Sequence, residues 1–429
     1  MNVSTAPLTE TSFALALGLL MLAPLAIAGM ALINTGLGRS RSAAQSLLGS
    51  MLMVAAAALA FALLGATFAD NASGTGHVIH LAGKQWNWAG TGAIGLSGFA
   101  TAPVRAQLGL LFQFLAVALA VLIPWGSGAD RWRLPAGAAA AVVLAAIFFP
   151  LLAHWSWSTG WLAQLGANFG LGVGFLDAGG AGAIHVLGGL SALAVVWIAG
   201  PRRGKFPREG LSTAMPGHNS IYVLFGCAVA AVGWLAFNTA GALLWCDAAL
   251  STLPVIAINT WLAAVAALAA TYTVTRVRFG KPDASLCANG WLAGLVTSSA
   301  CASVVTPVQA LLIGFVAGII TPLLVEFLEL GVAIDDPAGA ISVHAAGGIW
   351  GLFAAGVFAP HSGQVLAQFV AIATLLGFVF PLIYLLFWLL NRFVPFRVDA
   401  DGERIGLDLH ELGGNAYPEF VVHRDDSYR

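Results

Sequence analysis

DAGGAGAIHVLGG at residues 177–189 and DPAGAISVHAAGG at residues 336–348 are two copies of one pattern, D-x-x-G-A-x-x-x-H-x-x-G-G. The second copy lies inside another membrane-length apolar run. Each places a histidine eight residues after an aspartate, among small residues. An ionisable side chain within a hydrocarbon-spanning helix is costly and by default marks a pathway. Two of them in duplicated segments point to a substrate route at the interface of an internal repeat.

The rest of the chain sets these copies in a bilayer. Of 429 residues, 59% are hydrophobic and only 9% charged, with a mean hydropathy of +0.87. Soluble domains average about 25% charged residues, so the composition is that of an integral membrane protein. The net charge of −1 comes without a basic run, which argues against nucleic acid as a partner. Cys227, Cys246, Cys287 and Cys301 show neither a CxxC nor a metal spacing. The first apolar run follows Glu10 with no Lys or Arg before it, so it reads as a retained span and not a cleaved signal.

Eleven apolar segments are long enough to cross a ~30 Å core as helices of about 20 residues. They lie near 12–35, 44–69, 106–126, 134–154, 179–200, 219–240, 252–275, 287–304, 308–330, 339–359 and 364–391. The eighth is short and rich in Ser and Thr. Sixteen of the eighteen basic residues fall on one side: Arg39/Arg41, Arg131/Arg133, Arg202–Arg208, Arg276–Lys281 and those from Arg392 onward. Only Lys84 and Arg105 face the other way. The positive-inside bias then puts the N-terminus outside and the C-terminus in the cytoplasm.

This orientation places Asp177 at the outer end of span five and Asp336 at the inner end of span ten. The motif thus enters the membrane from opposite faces, as two inverted five-span repeats require. The expected architecture is all-α and polytopic: repeat one over about 12–200, repeat two over about 219–359, and a long last span at 364–391. A transport domain at 1–392 then precedes a cytoplasmic tail at 393–429. At 1.5 Å per residue, eight residues carry each histidine ~12 Å deep, so His185 and His344 should meet near the midplane. Asp177 and its repeat partner Asp336 suit helix N-caps. Gly188/Gly189, Gly314/Gly318 and Gly347/Gly348/Gly351 offer faces for close helix approach.

A plainer role for the two histidines is a polar pair fastening two helices, but duplication at equal depth favours a pathway. Burial keeps imidazoles neutral, each with one donor and one acceptor nitrogen. Such a pair can pass a small polar molecule or relay a proton. HWSWSTGW (154–161) and GWLAFN (233–238) sit at outer span ends. Most of these tryptophans read as an interfacial belt, with one or two able to hold a cation against a ring face. Enzyme signatures are lacking. Gly90-x-Gly92-x-x-Gly95 matches a dinucleotide fingerprint only formally, in an outer loop with no strand before it. His154, His218 and His361 lie near span ends, and His77, His80, His410 and His423 in loops or the tail, without ligand spacing. Neither a metal nor a cofactor is expected.

Six segments together resemble the ammonium transporter (Amt/Mep/Rh) family over nearly the whole chain. They are FLDAGGAGAIH (175–185), GPRRGKFP (200–207), PGHN (216–219), GWLAFN (233–238), IDDPAGAISVHAAGGIWG (334–351) and GLDLHELGGNAYPEF (406–420). The resemblance implies a homotrimer in the cytoplasmic membrane with one narrow hydrophobic pore per subunit. It implies ammonium recruited outside and deprotonated, with ammonia passed along the twin histidines His185 and His344. Trp157 matches the mouth tryptophan, Asp177 the aspartate supporting the recruitment site, and Phe237 one of two stacked gating phenylalanines. The tail matches a segment that couples subunits and, in relatives, responds to PII-type regulators. Two positions depart from the pattern. Ala116 stands where the outer gating phenylalanine is usual, with Phe112 one turn earlier as a partial substitute, and Gly241 where a serine often bonds the ion. A mouth so altered leaves open a poorly conducting ammonium sensor signalling through its tail, or a channel for another small neutral molecule.

Overall fold

The computed structural model describes residues 7–69, 76–92, 94–209 and 212–418. His423 and the last part of the tail lie outside the described residues. In chain order come α1 (Glu10–Leu37), α2 (Ser40–Ala69), the hairpin β1 (Gly76–Leu81) and β2 (Lys84–Gly90), α3 (Val104–Ser127) and α4 (Leu134–Trp157). Then follow α5 (Ala181–Ala199), α6 (Ser220–Trp245), α7 (Leu250–Phe279), α8 (Ala284–Cys301) and α9 (Pro307–Gly331). The chain closes with α10 (Ile341–Phe358), α11 (Gln364–Phe393) and a short α12 (Ala400–Ile405).

Among the described residues, ten of these helices are long and apolar enough to cross a membrane. Their outward faces carry exposed Met21, Leu59, Phe225, Val277 and Phe369. Apolar cover on that scale belongs against lipid and not water. α8 is not among the ten because Asn289, Thr297, Ser298 and Ser299 lower its hydropathy. Yet fourteen of its eighteen residues are buried. A helix surrounded by protein can keep hydroxyls and amides that a lipid-facing helix cannot, provided they find partners. Asn238 Nδ2 supplies one such partner, donating to Ser298 Oγ at 3.0 Å.

Small residues bring the helix axes together. Gly29 and Gly233 let α1 and α6 meet backbone to backbone, against Gly226 and Ala26 respectively. Gly314 and Gly318 on α9 sit on Ala263 and Ala267 of α7. Gly189 of α5 faces the backbone of Ala345 on α10, so the two motif-bearing helices cross at their glycines. A Cβ at Gly318 would meet the Ala267 main chain. Gly318→Val is therefore expected to lower stability by ~1–3 kcal/mol through overpacking, read as a lower unfolding temperature in detergent.

Both motif helices open with a wide, π-type turn, Ala181–Val186 in α5 and Ile341–Ala346 in α10. Such turns are rare and cluster at functional sites. The two aspartates behave as equivalent caps: Gly182 N donates to Asp177 at 3.1 Å, and Ile341 N to Asp336 at 2.8 Å.

The tail folds back on the face that carries the basic residues. Asp408 accepts from the backbone N–H of Gln45 at 2.7 Å, and Glu411 from that of Leu134 at 3.2 Å. These carboxylates sit at the starts of α2 and α4, where free N–H groups and the helix dipole favour negative charge. Glu403 bridges Arg397 Nη2 at 2.8 Å and the backbone N–H of Arg203 at 2.6 Å.

Three sequence expectations change. The eighth helix ends at Cys301, earlier than 304, because the chain turns over 302–304 and Thr306 is extended ahead of Pro307. A strand does precede the glycine run, since β2 ends at Gly90, but it pairs only with β1 and no long helix follows directly. Trp155 and Trp157 are core residues and not an interfacial belt, each 1% exposed. Trp155 packs on Trp88 and donates to its carbonyl at 2.7 Å, so the hairpin covers the end of α4.

Candidate functional site

His185 and His344 meet inside the bundle with their Nδ1 atoms 3.3 Å apart. The crossing of α5 and α10 at Gly189 and Ala345 sets that separation. Two neutral rings can share a contact of this kind only if one Nδ1 carries the proton and the other its lone pair. The remaining Nε2 atoms are then unlike: one accepts and the other donates. A small molecule that is both donor and acceptor can bond to either edge. Both rings are buried, and Trp234 lies flat on His185 with centroids 4.9 Å apart. Trp234 is held in turn by its N–H bond to Ser299 Oγ at 3.0 Å.

Toward the face opposite the basic one, Phe237 and Phe112 lie against each other with centroids 4.3 Å apart. Phe112 is the residue that the sequence offers as a partial substitute for the ring absent at Ala116. The ring facing Phe237 comes from Phe112, while Ala116 is buried one turn further along α3. Gly241 has a packing reason. A Cβ there would collide with the Ala178 carbonyl and press on the Phe112 ring, so no hydroxyl side chain fits.

Trp157 also differs from expectation. Its N–H donates to the Asp177 carbonyl at 2.6 Å, which ties the end of α4 to the motif. However, it presents no open ring face, because Trp245 stacks on it at 5.7 Å with planes only 8° apart. Phe112 meets both indoles edge-on, at 5.2 and 5.5 Å. The Asp177 carboxylate points into the helix start, bonding Gly182 and Ala183 N–H groups, and so serves as the cap of α5.

Toward the basic face, Ser127 Oγ donates to Asp336 at 2.7 Å, linking α3 to the second motif. A cavity of about 540 Å³ opens beside it, lined by Lys205, Asn289, Asp335, Asp336 and Gly339 among others. The structure thus brings His185 and His344 together, and separately Phe237, Trp157 and Gly241. Asp336 stands alone at the far end.

The places of Trp234 and Trp245 are not anticipated from sequence, whereas Phe112 is already named there beside Ala116. One signal was available. Phe237, Gly241 and Trp245 follow each other at four-residue spacing, so on a helix they share one face.

The sequence profile of the Ammonium Transporter Family matches residues 13–417. The "Ammonium transporter Amt2" of Archaeoglobus fulgidus is 32% identical over 419 residues, covering 92% of this chain and 85% of that one. The "Ammonium transporter" of Bacillus subtilis is 30% identical over 406 residues, covering 91% and 94%. Among solved structures, one described as "Sensor Amt Protein" aligns with a TM-score of 0.83 at 26% identity, covering 93% of this chain and 98% of that one. Candida albicans Mep2 shares the fold, with a TM-score of 0.78 at 22% identity over 96% and 91%. This chain is a multi-pass membrane protein and belongs to the ammonium transporter family.

Proposed function

We propose that this chain moves ammonium nitrogen across the cytoplasmic membrane as ammonia, through a narrow passage within each subunit. The contact between His185 and His344 carries this reading, since it joins the two copies of one motif at the centre of the bundle. Ammonium is taken up at the mouth near Trp157, loses its proton, and passes Phe112 and Phe237 to the twin imidazoles. Desolvating an intact ion in so apolar a passage costs several kcal/mol even after relaxation. Ammonia avoids that cost, and potassium, having no proton to give up, is excluded.

In this reading α8 completes eleven spans. α1–α5 and α6–α10 are then inverted repeats, with α11 the final span. The paired wide turns and paired aspartate caps support that division. Residues 1–392 form the transport unit and 393–429 the regulatory tail. The basic face is cytoplasmic, which places the tail where a PII-type regulator acts. The subunit works as a homotrimer.

A second reading has a specific observation behind it. The mouth ring Trp157 is covered, and the chain resembles a protein described as a sensor. A sensor binds ammonium, conducts little, and signals through the tail. Purified protein in liposomes, given an ammonium gradient, separates the two. Passage of ammonia alone predicts a rapid internal alkalinisation without current, and passage of ammonia with its proton predicts an inward current with little pH change. Neither a pH change nor a current above empty liposomes, together with failure to restore growth of a transporter-deficient strain on low ammonium, would leave the sensor.

A further inference from the structure

The outermost ring of the site belongs to Trp245, the last residue of α6 and a residue with no place in the scheme above. It lies flat on Trp157, 5% exposed, so the ring face a cation would use is occupied. A cation needs that face within about 6 Å of its charge. Two features make the cover movable. The indole N–H of Trp245 is buried without an acceptor among the described residues. An unpaired buried donor weakens a closed arrangement that solvent could satisfy. The helix also stops here: Asp247 turns the chain at φ +48°. Arg105 of α3 donates to the Leu244 carbonyl at 3.1 Å and pairs with Asp247 at 2.7 Å, clasping the chain on both sides of the ring.

The same region has no hydroxyl at Gly241. Attraction for a cation then comes from ring faces, and these accept alkylated ammonium ions as readily as ammonium. Discrimination must come from space.

We propose that Trp245 is the specificity-setting residue of the outer mouth: its ring swings off Trp157 to admit a cation and limits the opening to one the size of ammonium. This rests on the transport reading for its substrate, but not for the ring's movement.

In liposomes, Trp245→Leu is expected to raise the methylammonium-to-ammonium uptake ratio roughly tenfold, the low end of what a fitted opening gains by excluding one carbon. Trp245→Phe, which keeps a ring, should stay within about twofold by the same reasoning. An unchanged ratio in Trp245→Leu, with the starting protein active, overturns the proposal. If the starting protein moves no ammonium, the transport reading fails by itself and the cover is tested by labelling. Phe112→Cys, with the four native cysteines replaced by serine, places a thiol beneath the ring. Its reaction with 2-aminoethyl methanethiosulfonate should quicken about tenfold or more when Trp245→Leu is added, as loss of a fully packed barrier ring implies. Equal labelling rates would show that Trp245 bars nothing.

Discussion

Arg202→Ala is expected to destabilise the folded chain by about 3–5 kcal/mol, the usual result of stranding one partner of a buried ion pair. Arg202 grips Asp335 through Nε at 2.9 Å and Nη2 at 2.8 Å, and reaches Asp130 through Nη1 at 3.1 Å. Its own backbone N–H adds a fourth bond, to Asp335 at 2.8 Å. All three side chains are buried. Behind them Arg131 donates to the carbonyls of Gly200 at 2.7 Å and Asp335 at 2.8 Å. The cluster therefore ties the loops after α3, α5 and α9 into one unit beside the second motif. Without the guanidinium, Asp335 keeps its charge away from water with only Arg131 in support.

The pH dependence follows from Asp335. Burial pushes its carboxyl up, but the hydrogen bonds and charge of Arg202, with the charge of Arg131, outweigh it and hold the pKa below the ordinary 3.8. A carboxyl whose folded pKa is depressed gives stability that is full above its unfolded value and is lost as pH falls through the folded one. The unmodified protein should thus hold this contribution at pH 5–7 and lose it below about pH 4. In Arg202→Ala the carboxyl loses the bonds and charge of Arg202 and keeps only Arg131 against burial, so its pKa rises relative to the parent and acid should narrow the gap between the two. Fluorescence-monitored unfolding in detergent at pH 7 and pH 4 tests both points. A deficit that stays constant across that range would mean Arg202 acts by packing and not by charge. The double variant Arg202→Met/Asp335→Leu should recover part of the loss, as apolar replacements of buried pairs often do.

Much of this arrangement was legible in the residues, for reasons that also explain the misses. The duplicated motif carries its own geometry, because an aspartate cap, a fixed helical rise and a glycine pair leave the histidines few places to go. Their meeting at 3.3 Å is what equal depth from the two caps leads one to expect. Phe112 and Ala116 are a different case. One turn apart, they share a helix face, and spacing alone does not say which of them meets Phe237. That depends on how far α3 slides along its neighbours, a tertiary quantity. Most tryptophans of HWSWSTGW, Trp155 among them, read as a belt because they end a span, and only the family resemblance sets Trp157 apart. What buries Trp155 is the hairpin at 76–90, whose short strands give little periodic signal, while Trp157 is covered by Trp245 and Phe112. Trp245 is easily passed over because it follows the recognisable GWLAFN by several residues, although its spacing from Gly241 places it on the side of α6 that faces Phe112.

His185→Ala and His344→Ala are each expected to lower ammonia flux about tenfold or more, the effect of leaving a buried polar partner unpaired along the path. In the parent, each ring satisfies the other's Nδ1 and offers one Nε2 edge to the passing molecule. Removing either leaves the survivor without its partner and opens a void beside it. Trp234, stacked on His185, then borders an apolar gap instead of a polar edge. A molecule that has shed its hydration at Phe112 and Phe237 has no replacement bonds at the point where it needs them. The void also weakens packing, by ~2–5 kcal/mol for a large-to-small core change, so assembly and unfolding temperature must be followed beside flux. Glutamine at either position restores one donor and one acceptor without a titratable ring, and should recover flux more than alanine does if bonding to neutral ammonia is what matters. Recovery with alanine-like stability would assign the pair to conduction. Unchanged flux in both alanine variants, with a lowered unfolding temperature, would make the two histidines a fastener between α5 and α10 and nothing more.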